Sequence, residues 1–146
     1  MKKEQIDIEI DNSIGPWLGK TAKIVGCHLH EEFEKAGLDI TKEQMLVLKK
    51  LDEHGDLSQN DLAELIFRDK SSLTRLLTTI ERKGYIRRLR SLEDQRVNIV
   101  HLTNKGKLMW EKAKPVVLQV FQRMRSDLTV KEIDQFIETL KKYRAA

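Results

Sequence analysis

The segment from Asp69 to Thr103 constrains the fold most, because its periodicity changes from helical to extended at one glycine. Its first half repeats apolar residues at three- and four-residue steps, the spacing of one helix face. Asp69 is a good N-cap for that helix, and Gly84 follows as a stop. The sequence therefore predicts a helix followed by a hairpin. The apolar residues of the helix are Leu73, Leu76, Leu77 and Ile80.

The polar side of this predicted helix carries short hydroxyls and one arginine, at Ser71, Ser72, Thr74 and Arg75. Small side chains let a helix approach the major groove of DNA, and arginine can bond guanine O6 and N7 together. An ordinary solvated face would show similar polarity, so the local charge must distinguish a DNA-binding face from a solvated one. Between positions 68 and 90, eight basic residues stand against two acidic ones, whereas the whole chain carries +4. This concentration indicates a phosphate-binding surface.

Composition excludes several other classes of protein. The chain has 146 residues, of which 40% are hydrophobic and 34% charged, so we expect one globular domain. Only 5% are aromatic, which argues against a protein that stacks single-stranded bases. The sequence shows no membrane span or secretory signal, and Cys27 has no cysteine partner, so we expect a cytoplasmic protein.

A helix-turn-helix followed by a wing is predicted around the basic segment. Ser58 and Asp61 have capping-box spacing, which starts a short helix that leads through a tight turn into the Asp69 helix. Two extended runs, Ile86–Arg90 and Val97–Leu102, enclose a polar turn. Such a hairpin can reach the minor groove beside a helix in the major groove.

Four further helices are predicted from N-cap residues that precede apolar stripes. Gln44 and Glu132 complete capping boxes, and Pro115 is expected to kink or interrupt the third of these helices. The four N-caps are Ser13, Thr41, Thr103 and Thr129.

The two ends of the chain carry more apolar surface than a small winged domain can cover. The stripes run from Ile14 to Phe33 and from Val116 to Leu140, and the last helix should turn its apolar face inward. Alternating isoleucines within Met1–Asp11 could pack against a partner chain. We expect a two-fold homodimer with recognition helices roughly 34 Å apart, matching a palindromic operator. The inward-facing residues are Ile133, Phe136, Ile137 and Leu140.

The hairpin resembles a known family signature. Asp94-x-Arg96, five residues, then Leu102-Thr103 is similar to the wing of the MarR family of bacterial transcriptional regulators. The strings DKSSLTR and ERKGYI resemble that family's recognition helix and its exit, and Lys105-Gly106 fits as well. The close resemblance covers about Leu57 to Gly106, whereas the outer helices match in order and length only.

The resemblance implies a mainly α fold with a small β wing. It implies a single domain, 1–146, with dimerisation helices at 13–37 and 107–146 around a winged helix-turn-helix at 41–103. It implies a homodimeric transcriptional repressor that binds double-stranded DNA. A small, often aromatic or phenolic, ligand releases this repressor from the DNA. By resemblance, Asp94 holds a minor-groove arginine, Arg96, and Arg90 contacts phosphate at the wing base. Gln59 and Asn60 are further candidates for backbone contacts, and the groove-facing set is Ser71, Ser72, Thr74 and Arg75.

Alternatives remain for the effector and for the partner. Cys27 with His30 or Glu31, and His30 with Glu34, have helical spacing for a shared metal, so a metal- or redox-responsive regulator of the same fold that uses Cys27 and His30 stays open. Cys27 is better explained as a buried or half-buried helix residue. A winged helix that binds only protein also stays open. No motif predicts an enzyme, a resident metal or a cofactor, and we assign no ligand contact. The aromatic and methionine residues fit a core, namely Trp17, Phe33, Met45, Met109 and Trp110.

Overall fold

The computed structural model describes residues 9–145, which form six α-helices, a short 3-10 turn at Ile10–Asn12 and three β-strands. The predicted fold class, mainly α with a small β wing, is confirmed. In chain order the elements are α1 Ile14–Lys35, α2 Lys42–His54, β1 Leu57–Ser58, α3 Gln59–Leu65, α4 Lys70–Arg82, β2 Ile86–Arg90, β3 Asn98–Leu102, α5 Asn104–Arg125 and α6 Val130–Arg144.

The sheet is antiparallel, with β3 in the centre between β1 and β2. The hairpin pairs Ile86 with Leu102 at its base and Arg90 with Asn98 at its outer end. β1 was not predicted from the sequence, because two residues are too few to show a period. β1 anchors the wing to the helices by pairing Leu57 with Val100.

The predicted N-cap residues account for most helix N-termini. Thr41 and Thr129 form reciprocal capping boxes, and Ser58, Asp69 and Thr103 each accept from the backbone amide three residues on. Ser13 is an exception: it is the N-cap of α1, but its hydroxyl donates backward to the Ile10 carbonyl at 2.7 Å. The preceding 3-10 turn supplies that carbonyl.

The core lies where α1, α2 and α5 pack behind the helix-turn-helix. Leu48, Leu62, Leu77, Ile80 and Val100 have no exposed surface. α5 runs without interruption through Pro115, so of the predicted kink or interruption the interruption is absent, although proline leaves one carbonyl of the helix without its usual donor. Ala113 and Val117 on either side are buried, and that packing holds the helix together.

Three predictions of burial are wrong within the single chain. Phe136 and Ile137 of α6 are 57% and 46% exposed, and no described residue of α6 is buried, because the helix extends beyond the chain's own core. Cys27 is exposed on α1. Trp17 is 56% exposed and donates its indole N–H to Asn12 Oδ1, whereas Phe33, Met45 and Trp110 are buried as expected.

Two predictions fall wholly or partly outside the described residues. Of the alternating isoleucines, Ile6 and Ile8 lie there, and Ile10 begins the 3-10 turn. The outer limits of the predicted 1–146 domain also lie there. None of the described helices has the length and apolar character that a membrane span requires.

Candidate nucleic-acid interface

α4 separates a buried face from a polar one, as its sequence predicts. Leu73, Leu77 and Ile80 are buried, whereas Ser71, Thr74 and Arg75 are exposed on the other side. The Asp69 carboxylate accepts from the Ser72 amide at 2.8 Å and fixes the first turn. Three of the four predicted groove-facing residues therefore share one accessible surface.

Ser72 is placed differently from the other three. It is half-buried, and its hydroxyl oxygen accepts from Nε of Arg68 at 2.8 Å. That bond ties the turn before α4 to its first turn. Ser72 therefore supports the turn through this contact. Sequence spacing alone could not show that its hydroxyl is bonded and half-buried while its neighbours are exposed.

Thr78 extends the exposed face, although it was not among the residues predicted to face the groove. It stands one turn after Thr74, and each hydroxyl donates to the carbonyl four residues earlier at 2.9 Å. The signal was available, since residues four apart share a helix face. Gln59 at the start of α3 also reaches this face, with Nε2 at 3.4 Å from Thr74 Oγ1.

The wing tip places a single arginine in solvent and holds it from one side. Both carboxylate oxygens of Asp94 accept from the Arg96 guanidinium, at 3.1 and 3.2 Å, and Asp94 Oδ1 also accepts the Arg96 amide. The side-chain bond from Arg96, helped by the backbone bond, lowers the pKa of Asp94 below its usual value. The Arg96 side chain remains 91% exposed. The guanidinium is thus oriented while most of its surface stays available.

Arg90 lies at the outer end of β2, exposed and opposite Asn98. The predicted place, at the base of the wing, is therefore wrong, because the hairpin begins at Ile86 and Arg90 is its last paired residue before the loop. Asn60, in the first turn of α3, is also exposed. Among the described residues, neither side chain forms a hydrogen bond or an ion pair with α4.

The turn between α3 and α4 contains a backbone conformation unusual for its residue. Phe67 has φ +53° and is the one non-glycine with positive φ among residues 9–145. Its side chain is 87% exposed, so no burial offsets the left-handed conformation. The conformation itself is what a tight turn between two helices requires.

The exit from α4 is fixed by a group of backbone contacts. Gly84 has φ +84°, and its carbonyl accepts from the Thr103 hydroxyl at 2.6 Å. The Tyr85 carbonyl accepts from the Thr103 amide at 3.1 Å, and α5 begins immediately afterwards. The recognition helix, the wing and α5 therefore meet at one point.

Part of the predicted basic excess is paired with acidic side chains. Lys83 donates to Asp39 and to the buried Gln44, both at 2.9 Å, and Arg88 pairs with Glu81 at 3.0 Å. Bonds from the side chain and then the backbone of Arg88 lower the pKa of Glu81. Two of the eight cations are thus paired with carboxylates of the protein itself, which net-charge counting could not reveal.

Two concave surfaces lie away from α4. A cleft of about 460 Å³ separates α1 from the start of α2, and Lys23, His30 and Lys42 line it together with Cys27. A second groove of about 290 Å³ is almost wholly apolar and lies between α1, α5 and α6. Within residues 9–145, no three histidine, cysteine or acidic side chains gather closely enough to hold a metal.

Comparison with known proteins identifies the arrangement. The sequence model of the MarR family matches residues 40–97. The transcriptional regulator SarZ of Staphylococcus saprophyticus is 33% identical over 105 residues, which cover 72% of this chain and 70% of SarZ. The chain belongs to the MarR family. It is a transcriptional regulator with a winged helix-turn-helix, and the predicted resemblance is confirmed.

Two further MarR-family relatives extend the likeness. The homoprotocatechuate degradative operon repressor of Escherichia coli is 26% identical over 107 residues, which cover 73% of this chain and 72% of the repressor. A cysteine-to-serine mutant of MarR from E. coli, complexed with operator DNA, superposes with a TM-score of 0.83 at 26% identity. That alignment covers 93% of this chain and 99% of the mutant. The MarR-family likeness therefore reaches the outer helices, which motifs alone did not cover.

Proposed function

We propose that this protein represses transcription by binding a palindromic double-stranded operator as a homodimer, and that a small ligand releases it. The observation that carries the proposal is the pairing of an exposed polar face on α4 with an oriented, exposed Arg96 at the wing tip. One suits a major groove and the other a minor groove. The related MarR mutant complexed with operator DNA supports this assignment.

Each DNA contact has a proposed role. Ser71, Thr74 and Arg75 meet base edges and phosphates, while Ser72 supports the turn through Arg68. Arg96 enters the minor groove, Asp94 holds it, and Arg90 contacts phosphate beside the wing. Gln59 and Asn60 add backbone contacts at the start of α3.

The outer helices supply the dimer in this proposal, at 13–37 and 107–146, around the winged unit at 41–103. Their apolar surface supports it: Phe121 is 46% exposed and Phe136 57%, beside the apolar groove between α1, α5 and α6. Burying such surface is favourable by about 25 cal/mol per Å². A second copy of the chain would cover it and set the spacing of the two recognition helices.

The effector is proposed to bind in the cleft between α1 and α2. Lys23 and Lys42 line this cleft together with Glu31 and Glu43, and the ammonium group of Lys42, in the first turn of α2, can pair with the carboxylate of an aromatic acid. The relative named for homoprotocatechuate degradation supports this chemical class. A Lys42→Glu variant should keep operator binding but lose release by aromatic acids, as measured by fluorescence anisotropy of a labelled duplex.

Selection of bound sequences from a random duplex pool tests the DNA assignment directly. We expect an enriched palindrome whose half-sites lie about one helical turn apart. Arg96→Ala should weaken binding to it by about 5- to 150-fold, the size of a good groove contact. Arg144→Ala removes the same charge at the end of α6 and is the matched control. Equal affinity of the Arg96 variant and wild type would contradict the role of the wing.

Salt dependence separates this proposal from a winged helix that binds only protein. A DNA binder that neutralises several phosphates should lose affinity steeply as salt rises. Absence of an enriched duplex at low salt would favour the protein-binding alternative.

A further inference from the structure

Glu81 and Arg88 join the recognition helix to the wing through three hydrogen bonds. Glu81 lies in the last turn of α4, and Arg88 is the middle residue of β2. The Arg88 amide donates to one carboxylate oxygen of Glu81 at 2.8 Å, and its guanidinium donates to the other at 3.0 Å. The same guanidinium nitrogen donates to Thr78 Oγ1 at 3.2 Å. We call these three residues the helix–wing clamp.

The clamp is the outermost connection between the two elements. Tyr85 and Ile86, at the base of the hairpin, are buried and need no further support. Beyond the clamp, Leu89 and Arg90 are exposed. In the described part of the chain, Arg88 is the outermost hairpin residue that hydrogen-bonds α4. Movement of the wing tip relative to α4 is therefore limited at this residue.

The clamp is better suited to orientation than to stability. The side chains of Glu81 and Arg88 are 37% and 22% exposed, and partly exposed ion pairs add little to the free energy of folding. Its bonds, however, fix the carboxylate from two directions, through a backbone amide and a guanidinium. The same bonds from Arg88 lower the pKa of Glu81.

Leverage makes this point of attachment important. Strands rise about 3.3 Å per residue, so the wing loop begins roughly 10 Å beyond Arg88. A small rotation of the hairpin about its buried base would move Arg96 by several times the displacement at Arg88. Groove contacts need hydrogen-bond distances, so such a rotation would cost the contact of the wing.

We propose that the helix–wing clamp is a positioning device that lets Arg75 on α4 and Arg96 on the wing bind one operator half-site together. Arg88 acts through Glu81 and Thr78 and is not itself a contact to DNA. This inference rests on the proposed DNA-binding function and adds how the two reading elements are held in register.

A double-mutant cycle on the duplex selected above tests the clamp. The loss caused by Arg96→Ala is measured in wild type, in Glu81→Ala and in Arg88→Leu. We expect a loss of about 5- to 150-fold in wild type and less than about 3-fold in either clamp variant. The loss caused by Arg75→Ala should stay the same in all three backgrounds, because α4 keeps its own position.

Two further variants separate positioning from other effects. Arg87→Leu removes a neighbouring charge from the opposite face of β2. Any loss of DNA affinity that it causes should simply add to the loss from Arg96→Ala, which should itself be unchanged. Glu81→Gln keeps an oxygen acceptor for the Arg88 amide and should restore part of the Arg96 contribution. Because Glu81→Gln is nearly isosteric, it also provides a folded variant if Arg88→Leu unfolds.

The possible outcomes separate failure of the positioning role from failure of the proposed DNA binding. An unchanged loss from Arg96→Ala in Glu81→Ala overturns the positioning role. Weak binding by Arg88→Leu with an intact Arg96 contribution shows Arg88 to be a direct phosphate contact, and also overturns it. If no duplex is enriched, the DNA-binding proposal fails and the clamp fails with it.

Discussion

Gly106→Ala tests the junction where recognition helix, wing and α5 meet. Gly106 is buried in the first turn of α5. A Cβ built there would lie 2.0 Å from the carbonyl oxygen of Tyr85 and 2.8 Å from Leu102 Cδ1. The closest atom is backbone, so it cannot rotate away as the end of a flexible side chain could. The same carbonyl accepts from the Thr103 amide, so moving it breaks that bond.

The expected cost follows from three contributions. Overpacking costs about 1–3 kcal/mol. The broken hydrogen bond costs about 1 kcal/mol. Alanine in place of glycine inside a helix returns about 1 kcal/mol. The net loss in free energy of unfolding is therefore about 1–3 kcal/mol, and the severity of the backbone contact favours the upper end.

Urea unfolding followed by far-ultraviolet circular dichroism measures this loss, at one fixed protein concentration because the protein is proposed to dimerise. Gly26→Ala is the matched control, since it also lies in a helix and its Cβ would meet only the flexible end of Lys42 at 3.7 Å. We expect the control to be stabilised by about 0.5–1 kcal/mol. If both variants shift the midpoint equally, the close approach at Tyr85 does not constrain the junction.

Two other predictions concern exposed aromatic residues. Phe67→Gly should raise the free energy of unfolding by up to about 1 kcal/mol, because glycine adopts the left-handed turn without strain and little burial is lost; thermal denaturation checks this, and a destabilised variant would show that the phenyl ring is held by contacts. Phe136→Glu should yield a monomer in sedimentation-velocity experiments at micromolar concentration, because it places a charge in the apolar groove of α6. A dimer of unchanged affinity would place the interface elsewhere.

Local patterns in the sequence determined most of the secondary structure. The caps at Thr41, Asp69 and Thr129 lie within three residues of the amides they bind, so spacing alone revealed them. The stripe of α4 and the stop at Gly84 likewise depend on neighbours along the chain. The wing was predictable because its two strands and its Asp94–Arg96 turn are contiguous.

The tertiary structure decided which polar residues are available and which support the fold. Ser71 and Ser72 are equivalent in sequence, but Ser71 is exposed whereas the Ser72 hydroxyl accepts a hydrogen bond from Arg68. The sequence predicted Arg88 to be part of a phosphate-binding patch, whereas in the folded chain it pairs with Glu81. Such pairings depend on how separate elements pack, and no periodicity within a single element encodes them. The same reason explains β1, whose two residues form a strand only because β3 lies alongside.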